Sequence, residues 1–192
     1  MTIPHIPFYF IRHGQTDWNL RGVYMGTSDI PLNEAGIEQA KLATQLLKRE
    51  PINHIITSPL LRAAKTAEII AKIIEKPITI MEDLKECCWG IKEGMPVDAD
   101  AIFDQWIDGD TPKGAEAAHD FDERVKRGLK DALALSQQPS QLVLIVGHGG
   151  VFCSIQRTLS APLNNIKNCI PVYYRPPNHA EHSWSLSYCG IN

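Results

Sequence analysis

Short apolar runs alternate along this chain with longer segments in which apolar residues recur at helical spacing. The runs cover residues 8–12, 54–57, 78–81 and 142–146. The last run is wholly apolar, which is typical of a central strand covered on both faces. Alternation of strands with helices indicates βαβ units, whose successive strands run parallel. The pattern therefore predicts an α/β protein built on a mainly parallel sheet.

The same pattern predicts five helices and a closing hairpin. Asn33 is placed to cap the first helix, which runs to about residue 49 before Pro51 breaks it. The other four helices cover about residues 60–75, 98–106, 116–137 and 151–159. The tail at residues 169–187 is rich in Tyr, Val and Ser and is interpreted as a hairpin. Because no repeat or low-complexity linker interrupts the chain, residues 1–192 are assigned to one domain.

Composition and charge narrow the class of protein. Apolar residues make up 44% of the chain and charged residues 21%, which excludes a disordered or fibrous protein. The 19 basic and 22 acidic residues leave a net charge of -3, so no overall basic field favours nucleic acid. No stretch approaches the roughly 18 consecutive apolar residues of a membrane span, and no lysine or arginine precedes the N-terminal apolar run. The five cysteines form no regular disulfide or metal-binding pattern. We expect a cytoplasmic protein that binds neither nucleic acid nor membrane.

Two histidines stand immediately beyond predicted strands. His13 lies in Arg-His-Gly and His148 in Gly-His-Gly-Gly. Ligands bind at the carboxyl ends of strands in open α/β sheets, and a glycine followed by a helix start offers unobstructed N–H groups to an anion. Either histidine alone could simply cap its strand. The two together favour one shared anion-binding cleft.

Two arginines extend this hypothesis. Arg12 adjoins His13 and carries a planar cation suited to bidentate contact with phosphate oxygens. Arg62 falls in the first turn of a predicted helix, where a cation gains nothing from the helix dipole. A surface salt bridge is the alternative for Arg62. Its position is better explained by an external anion.

The segments that carry these residues resemble a known family. FIRHGQTDWN, TSPLLRAAKTAE and VGHGG resemble, in order and spacing, the signature of the histidine phosphatase superfamily in its phosphoglycerate mutase-like branch, and the resemblance runs from residue 8 to about residue 159. It implies a three-layer α/β/α sandwich and phosphoryl transfer through a phosphohistidine, with no metal or other cofactor. By the same resemblance His13 is the nucleophile. The substrate-contacting positions that it implies are Arg12, Asn19, Arg62, His148 and Gly149.

The resemblance also implies a carboxylic acid after the third strand. Leu84-Lys85-Glu86 looks like that segment, and Glu86 is therefore expected to protonate the leaving group and then to activate water. Glu82, Asp83 and Glu93 remain alternatives. The family's Gly-Glu-Ser segment is replaced by Ala-Glu-Ala at residues 115–117, with Arg124 in the expected place, and this departure leaves the substrate open.

The segment at about residues 87–115 is expected to form a lid or insertion over the active site. Mutases of this branch carry a longer and more basic insertion there, whereas this segment has only Lys92 and Lys113 as fixed cations. Water should therefore reach the phosphohistidine, which favours hydrolysis of a phosphate monoester. We expect a small phosphorylated metabolite as substrate and leave a phosphoprotein open. Phosphoglycerate mutase-type transfer and a non-catalytic protein that binds a phosphorylated ligand are the two alternative functions.

Overall fold

In the residues that the computed structural model describes, 2–97, 102–136, 141–178 and 183–189, six strands form one sheet. For residues 102–104 the structure describes the backbone only. The strands are Phe8–Arg12 (β1), Ile52–Thr57 (β2), Ile78–Ile80 (β3), Leu142–Gly147 (β4), Val172–Arg175 (β5) and Ser185–Tyr188 (β6). Their order is β3-β2-β4-β1-β5-β6. The first four pair in parallel, and β5 and β6 add antiparallel strands at one edge. The mainly parallel sheet and the closing hairpin are confirmed.

The helices agree with the predicted pattern in number and order, apart from one short helix that follows β1. Two single turns of 3-10 helix, at Glu82–Leu84 and Gly90–Lys92, follow β3. The α-helices are Asp17–Arg21 (α1), Glu34–Leu47 (α2), Leu61–Ile74 (α3), Ile102–Ile107 (α4), Ala118–Ala134 (α5) and Gly149–Thr158 (α6).

Helices cover both faces of the sheet, which confirms the three-layer sandwich. On β1, the alternating residues Phe8 and Phe10 belong to the core beneath α5 and α6, whereas Tyr9 and Ile11 belong to the core beneath α2 and α3. The central strand β4 is buried along its whole length, as its continuous apolar run predicts. Fully burying one large apolar side chain contributes about 1.5–3 kcal/mol to the free energy of folding, so the cores on both faces stabilise the sheet.

Two predicted helix starts differ by two residues from those observed. Helix α6 begins at Gly149, two residues before its predicted start, because His148 takes extended backbone angles and serves as its N-cap residue. Helix α5 begins at Ala118, two residues after its predicted start, because the backbone N–H of Glu116 donates to the Cys88 carbonyl (2.9 Å) outside the helix. The predicted helical residues 98–101 and 137 lie outside the described residues.

Among the residues that the structure describes, no helix is both long enough and apolar enough to cross a membrane.

Candidate active site

Sheet topology brings the two histidines together. Strands β1 and β4 are neighbours, and Arg12 is in register with Gly147, so His13 and His148 are the next residues beyond the same edge of the sheet. The backbone N–H of His13 donates to the Gly147 carbonyl (3.0 Å). The two imidazole centroids are 5.2 Å apart. The structure therefore brings the two Gly-flanked histidines together, but only His13 lines the cleft at this edge.

Arg62 reaches the same edge from the other side of β4. Strand β2 pairs with β4, and α3, which follows β2, carries Arg62 in its first turn. The Arg62 side chain is only 1% exposed, so the alternative of a surface salt bridge is wrong. Its Nη1 and Nη2 donate to the carbonyls of Ser28 (2.9 Å) and Gly26 (2.7 Å), which fix the plane of the guanidinium group.

A cleft of about 350 Å³ opens at this edge of the sheet. We call Arg12, His13, Arg62 and His148 its polar end. Gly149, the first residue of α6, also lines the cleft. His148 is fully buried against His13 and does not line the cleft surface. The apolar part of the lining, which we call the apolar wall, consists of Val23, Tyr24, Met25, Trp89, Val97 and Ile166.

The environment of His13 keeps its imidazole neutral. Its Nδ1 lies 2.7 Å from the Gly14 carbonyl, so the hydrogen bond assigns the proton to Nδ1 and leaves the lone pair on Nε2. Burial lowers the pKa of His13 well below its ordinary value, and the positive charges of Arg62 and Arg12 lower it further, against the Gly14 hydrogen bond. Burial, followed by Arg62, likewise lowers the pKa of His148. A neutral imidazole with a free lone pair is a competent nucleophile.

Four buried nitrogens at the polar end have no hydrogen-bond partner among the described residues. They are Arg12 Nε, Arg62 Nε and both ring nitrogens of His148. Buried polar groups in folded proteins are nearly always paired, and a lone exception needs an explanation. Arg12 is held by one donation from Nη1 to the Ile166 carbonyl (3.1 Å). The two guanidinium groups and the neutral ring of His148 each have an N–H without an acceptor. An anion with several oxygens could accept hydrogen bonds from all three.

Glu86 is the only carboxylate among the described residues that line the cleft. Its Oε2 accepts from the backbone N–H of Gly150 (2.9 Å) and its Oε1 from that of Cys87 (3.0 Å). A Cβ on Gly150 would lie 2.4 Å from Oε1, so any larger residue there would displace the carboxylate from this position. Of the alternatives, Glu82 is exposed and Asp83 pairs with Arg127 (3.3 Å).

Glu93, the remaining alternative, is occupied elsewhere. Its carboxylate accepts from the backbone N–H and the hydroxyl of both Thr27 and Ser28, and from the backbone N–H of Trp89 (3.1 Å). Although burial opposes ionisation, these hydrogen bonds, that of Ser28 foremost, lower the pKa of Glu93. Glu93 therefore fixes the loop whose carbonyls hold Arg62.

Asn19 lines the cleft and also completes the cap of α1. Its Oδ1 accepts from the backbone N–H of Thr16 (3.1 Å), and its own backbone N–H donates to the Thr16 hydroxyl (3.1 Å). This reciprocal capping box fixes the short helix beside the polar end. Asn168 Nδ2 lies 3.4 Å from Asn19 Oδ1 and donates to the His13 carbonyl (2.7 Å).

Asn168 and Thr66 are supporting residues that sequence reasoning missed. Thr66 accepts from the backbone N–H of Gly14 (3.0 Å) and donates to the Arg62 carbonyl (2.8 Å). Its position four residues after Arg62, on the same helix face, could have indicated it. Asn168 gives no such signal, because the irregular loop that carries it reaches the site only through the return of the chain after α6.

Trp89 and Val97 represent the 87–115 segment on the apolar wall. Two of the three loops that form this wall are joined by backbone hydrogen bonds, from Tyr24 to Met95 (2.9 Å) and from Val97 to Gly22 (2.8 Å). Neither Lys92 nor Lys113 lines the cleft. Within the described ranges, no three His, Cys, Asp or Glu side chains gather in a way that could hold a metal ion.

The fold and the site together define an α/β protein with a cationic, histidine-bearing cleft at the carboxyl ends of its parallel strands. Residues 8–173 match the family of the histidine phosphatase superfamily (branch 1), and the chain belongs to this family. The resemblance found in the sequence motifs is therefore confirmed.

Known proteins similar to this chain bear phosphatase and mutase names. The "Uncharacterized phosphatase PhoE" of Bacillus subtilis is 34% identical over 184 residues, which cover 95% of this chain and 93% of that protein. The "Probable phosphoglycerate mutase GpmB" of Photorhabdus laumondii is 33% identical, with coverage of 84% and 80%. The crystal structure of the alpha-ribazole phosphatase from Shigella flexneri is 26% identical, with a TM-score of 0.78 and coverage of 97% and 96%. Family and names support an enzyme of phosphatase or mutase type.

Proposed function

We propose that this protein is a metal-independent phosphatase that hydrolyses a phosphate monoester through a phosphohistidine on His13. The observation that carries the proposal is the set of unpartnered buried nitrogens of Arg12, Arg62 and His148 beside a neutral His13. A phosphoryl group supplies acceptor oxygens for the unpaired N–H groups of Arg12, Arg62 and His148. Positioning and electrostatic stabilisation are the main requirements of phosphoryl transfer, and two guanidinium groups can meet them.

In the first step, His13 Nε2 attacks phosphorus in line with the ester oxygen. The P–N bond forms as the P–O ester bond breaks, and the leaving oxygen takes the proton of the Glu86 carboxyl group. Arg12, Arg62 and His148 donate hydrogen bonds to the non-bridging oxygens, and Asn19 and the backbone N–H of Gly149 add contacts at the rim. The charge that develops on the transferring group is thereby stabilised throughout.

In the second step, water attacks the phosphohistidine from the side that the alcohol has left. The Glu86 carboxylate takes a proton from this water, the P–N bond breaks, and inorganic phosphate leaves. His13 returns to its neutral form and Glu86 to its protonated form, so the cycle is complete. General acid–base catalysis of this kind contributes typically about 10²- to 10⁴-fold.

The charges of the cleft favour hydrolysis over mutase chemistry. Every Lys and Arg of the chain lies in the described residues, and of these only Arg12 and Arg62 line the cleft. A mutase of phosphoglycerate type must also hold the carboxylate of its substrate, and the apolar wall offers no cation for it. We therefore propose a small phosphorylated metabolite, with no second anionic group near the ester, as the substrate. The 87–115 segment serves as the lid that carries part of this wall.

Hydrolysis of p-nitrophenyl phosphate in the presence of EDTA tests this function. The proposal predicts continuous release of p-nitrophenol at a rate that EDTA does not change. A folded protein that binds inorganic phosphate but releases no p-nitrophenol would be a non-catalytic binding protein instead. Faster interconversion of phosphoglycerates, with bisphosphoglycerate present, than hydrolysis would identify a mutase.

A further inference from the structure

Arg124, on α5, binds the backbone that carries Glu86, although it does not itself line the cleft. Its Nη1 donates to the carbonyls of Asp83 (3.0 Å) and Lys85 (2.7 Å), and its Nη2 donates to the carbonyl of Glu86 (3.0 Å). The backbone turns from a single turn of 3-10 helix, Glu82–Leu84, into extended conformation at Lys85, and neither Lys85 nor Glu86 belongs to a strand. One side chain therefore supplies the partners that regular secondary structure would otherwise give these carbonyls.

A second contact fixes the guanidinium group of Arg124. Both carboxylate oxygens of Glu116 accept from it, at 2.6 Å from Nε and 2.7 Å from Nη2. The two side chains are only 15% and 21% exposed, so solvent screens this bidentate pair little. The backbone N–H of Glu116 donates to Cys88 (2.9 Å). Arg124 and Glu116 thus hold the segment on both sides of Glu86.

Close packing of α5 against the segment leaves the contact little freedom. One turn beyond Arg124, a Cβ on Gly128 would come 3.0 Å from the side chains of Asp83 and Leu84, and Leu84 is fully buried. Glu86 is consequently held at two points. Helix α5 fixes its backbone through Arg124, and the first turn of α6 fixes its carboxylate through the N–H of Gly150.

We propose that Arg124 is a positioning residue for the proton transfers of Glu86. This inference rests on the proposed function, in which Glu86 protonates the leaving group and then activates water. The packing at Gly128 holds Asp83 and Leu84, whereas the carbonyls of Lys85 and Glu86 are held by Arg124. Without Arg124, Glu86 can therefore shift while the polar end keeps its place on other elements. A misplacement of about 1 Å can cost about 100-fold in rate. The loss should therefore fall on steps that need the proton and spare phosphate binding.

The leaving group separates this role from a general structural role. An alkyl phosphate releases a strongly basic alkoxide and needs the Glu86 proton, whereas p-nitrophenyl phosphate releases a stabilised phenolate that needs it far less. For Arg124→Gln, we expect the single-turnover rate of His13 phosphorylation to fall about 100-fold with butyl phosphate and less than about 10-fold with p-nitrophenyl phosphate. Competitive inhibition by inorganic phosphate should change less than about twofold, because the polar end is untouched.

Arg127→Gln is the matched control. Arg127 lies one turn further along α5, is half exposed and contacts the side chain of Asp83 (3.3 Å) rather than the backbone, so its removal should leave both rates unchanged. Arg124→Lys keeps the charge but loses the fork, and should lose part of the butyl phosphate rate. Equal losses with the two esters, or a loss below threefold with butyl phosphate, would overturn the proposal.

Two further variants keep the test decisive. If Arg124→Gln does not fold, Glu116→Gln replaces it, because this change weakens the contact that orients Arg124 and keeps the charge of the arginine. Glu116→Gln should then show the same preference for p-nitrophenyl phosphate over butyl phosphate. An unchanged ratio of the two rates contradicts the proposal. Glu86→Gln removes the transferable proton altogether and therefore gives the largest loss of the butyl phosphate rate that an Arg124 variant can show. If wild-type protein forms no phosphoenzyme, the proposed function fails. If wild type and Glu86→Gln behave as proposed and the Arg124 variants match wild type, only the positioning role fails.

Discussion

The polar end of the cleft and its apolar wall are built from different parts of the fold. Arg12, His13 and His148 stand at the ends of adjacent parallel strands, and Arg62 stands in the first turn of the helix that follows the next strand. The wall residues come instead from three loops, two of which are joined by backbone hydrogen bonds. A rigid sheet holds catalytic side chains to within a fraction of an ångström, whereas the sequence and conformation of loops can differ between proteins with different substrates. Changes at the polar end should therefore abolish turnover, and changes in the wall should redirect it.

Replacement of the nucleophile should have the largest effect. His13→Ala is expected to lower kcat for p-nitrophenyl phosphate by about 10⁵-fold or more, the scale on which loss of a covalent nucleophile acts. The fold should persist, because Asn168 and Gly147 hold the backbone rather than the ring. Steady-state kinetics and circular dichroism measure the two effects, and a residual rate within 100-fold of wild type would assign the nucleophile to another residue.

Arg62→Lys tests whether geometry, beyond charge, matters at the polar end. Lysine keeps the positive charge, but its three N–H groups share one nitrogen and cannot reproduce the planar fork in which Nη1 and Nη2 reach the Ser28 and Gly26 carbonyls while Nε faces the phosphoryl group. We expect kcat/KM to fall about 10²- to 10³-fold, as for loss of one preorganised donor in other enzymes. A fall of less than fivefold would show that any cation suffices there.

Gly150→Ala displaces the proton-transferring group without touching the cations. The new Cβ would meet Glu86 Oε1 at 2.4 Å, and the flexible carboxylate can yield, so the melting temperature should change little. We expect kcat to fall about 10- to 100-fold, while inhibition by inorganic phosphate stays constant. An unchanged kcat would mean that the carboxylate has no part in the slow step.

A cation placed in the wall should change substrate preference. Val97 lines the cleft and is 45% exposed, so a lysine there can reach solvent and cleft alike. Val97→Lys should raise kcat/KM for 3-phosphoglycerate relative to p-nitrophenyl phosphate about two- to fivefold, the factor that corresponds to an exposed ion pair. Val97→Met is the neutral control. Equal changes with both substrates would place Val97 outside the region that recognises the alcohol.

The buried histidines predict a pH dependence of stability. Burial lowers the folded-state pKa of His13 and His148 below 6.5, so between the folded and unfolded values the unfolded chain binds more protons. Stability is therefore complete above pH 6.5 and falls as the pH drops through that value. Thermal unfolding should occur at a lower temperature at pH 5.5 than at pH 7.5, with a weaker dependence in His148→Gln. A melting temperature that rises on acidification contradicts the direction of both shifts.

The sequence predicted which residues meet at the polar end because local pattern and topology coincide there. Apolar runs locate strand ends, parallel strands place those ends at one edge, and motif residues at the ends must then meet, as His13 and His148 do. The pattern could not show what Arg124 holds, because its three carbonyl partners lie about forty residues away along the chain. Asn168 could not be predicted for the same reason, because the His13 carbonyl that it contacts is also far away along the chain. The start of α6 was predicted two residues too late because Gly149 and Gly150 suggested a turn before the helix.

Direct mapping of the phosphoryl group tests the central claim most sharply. Wild-type protein is mixed with p-nitrophenyl phosphate, quenched in alkali within milliseconds, digested and analysed by mass spectrometry and ³¹P NMR. We predict one acid-labile, alkali-stable phosphoramidate, on the peptide that contains His13. Phosphate on the peptide that contains His148, or the absence of any phosphopeptide from an enzyme that is turning over, would contradict the claim.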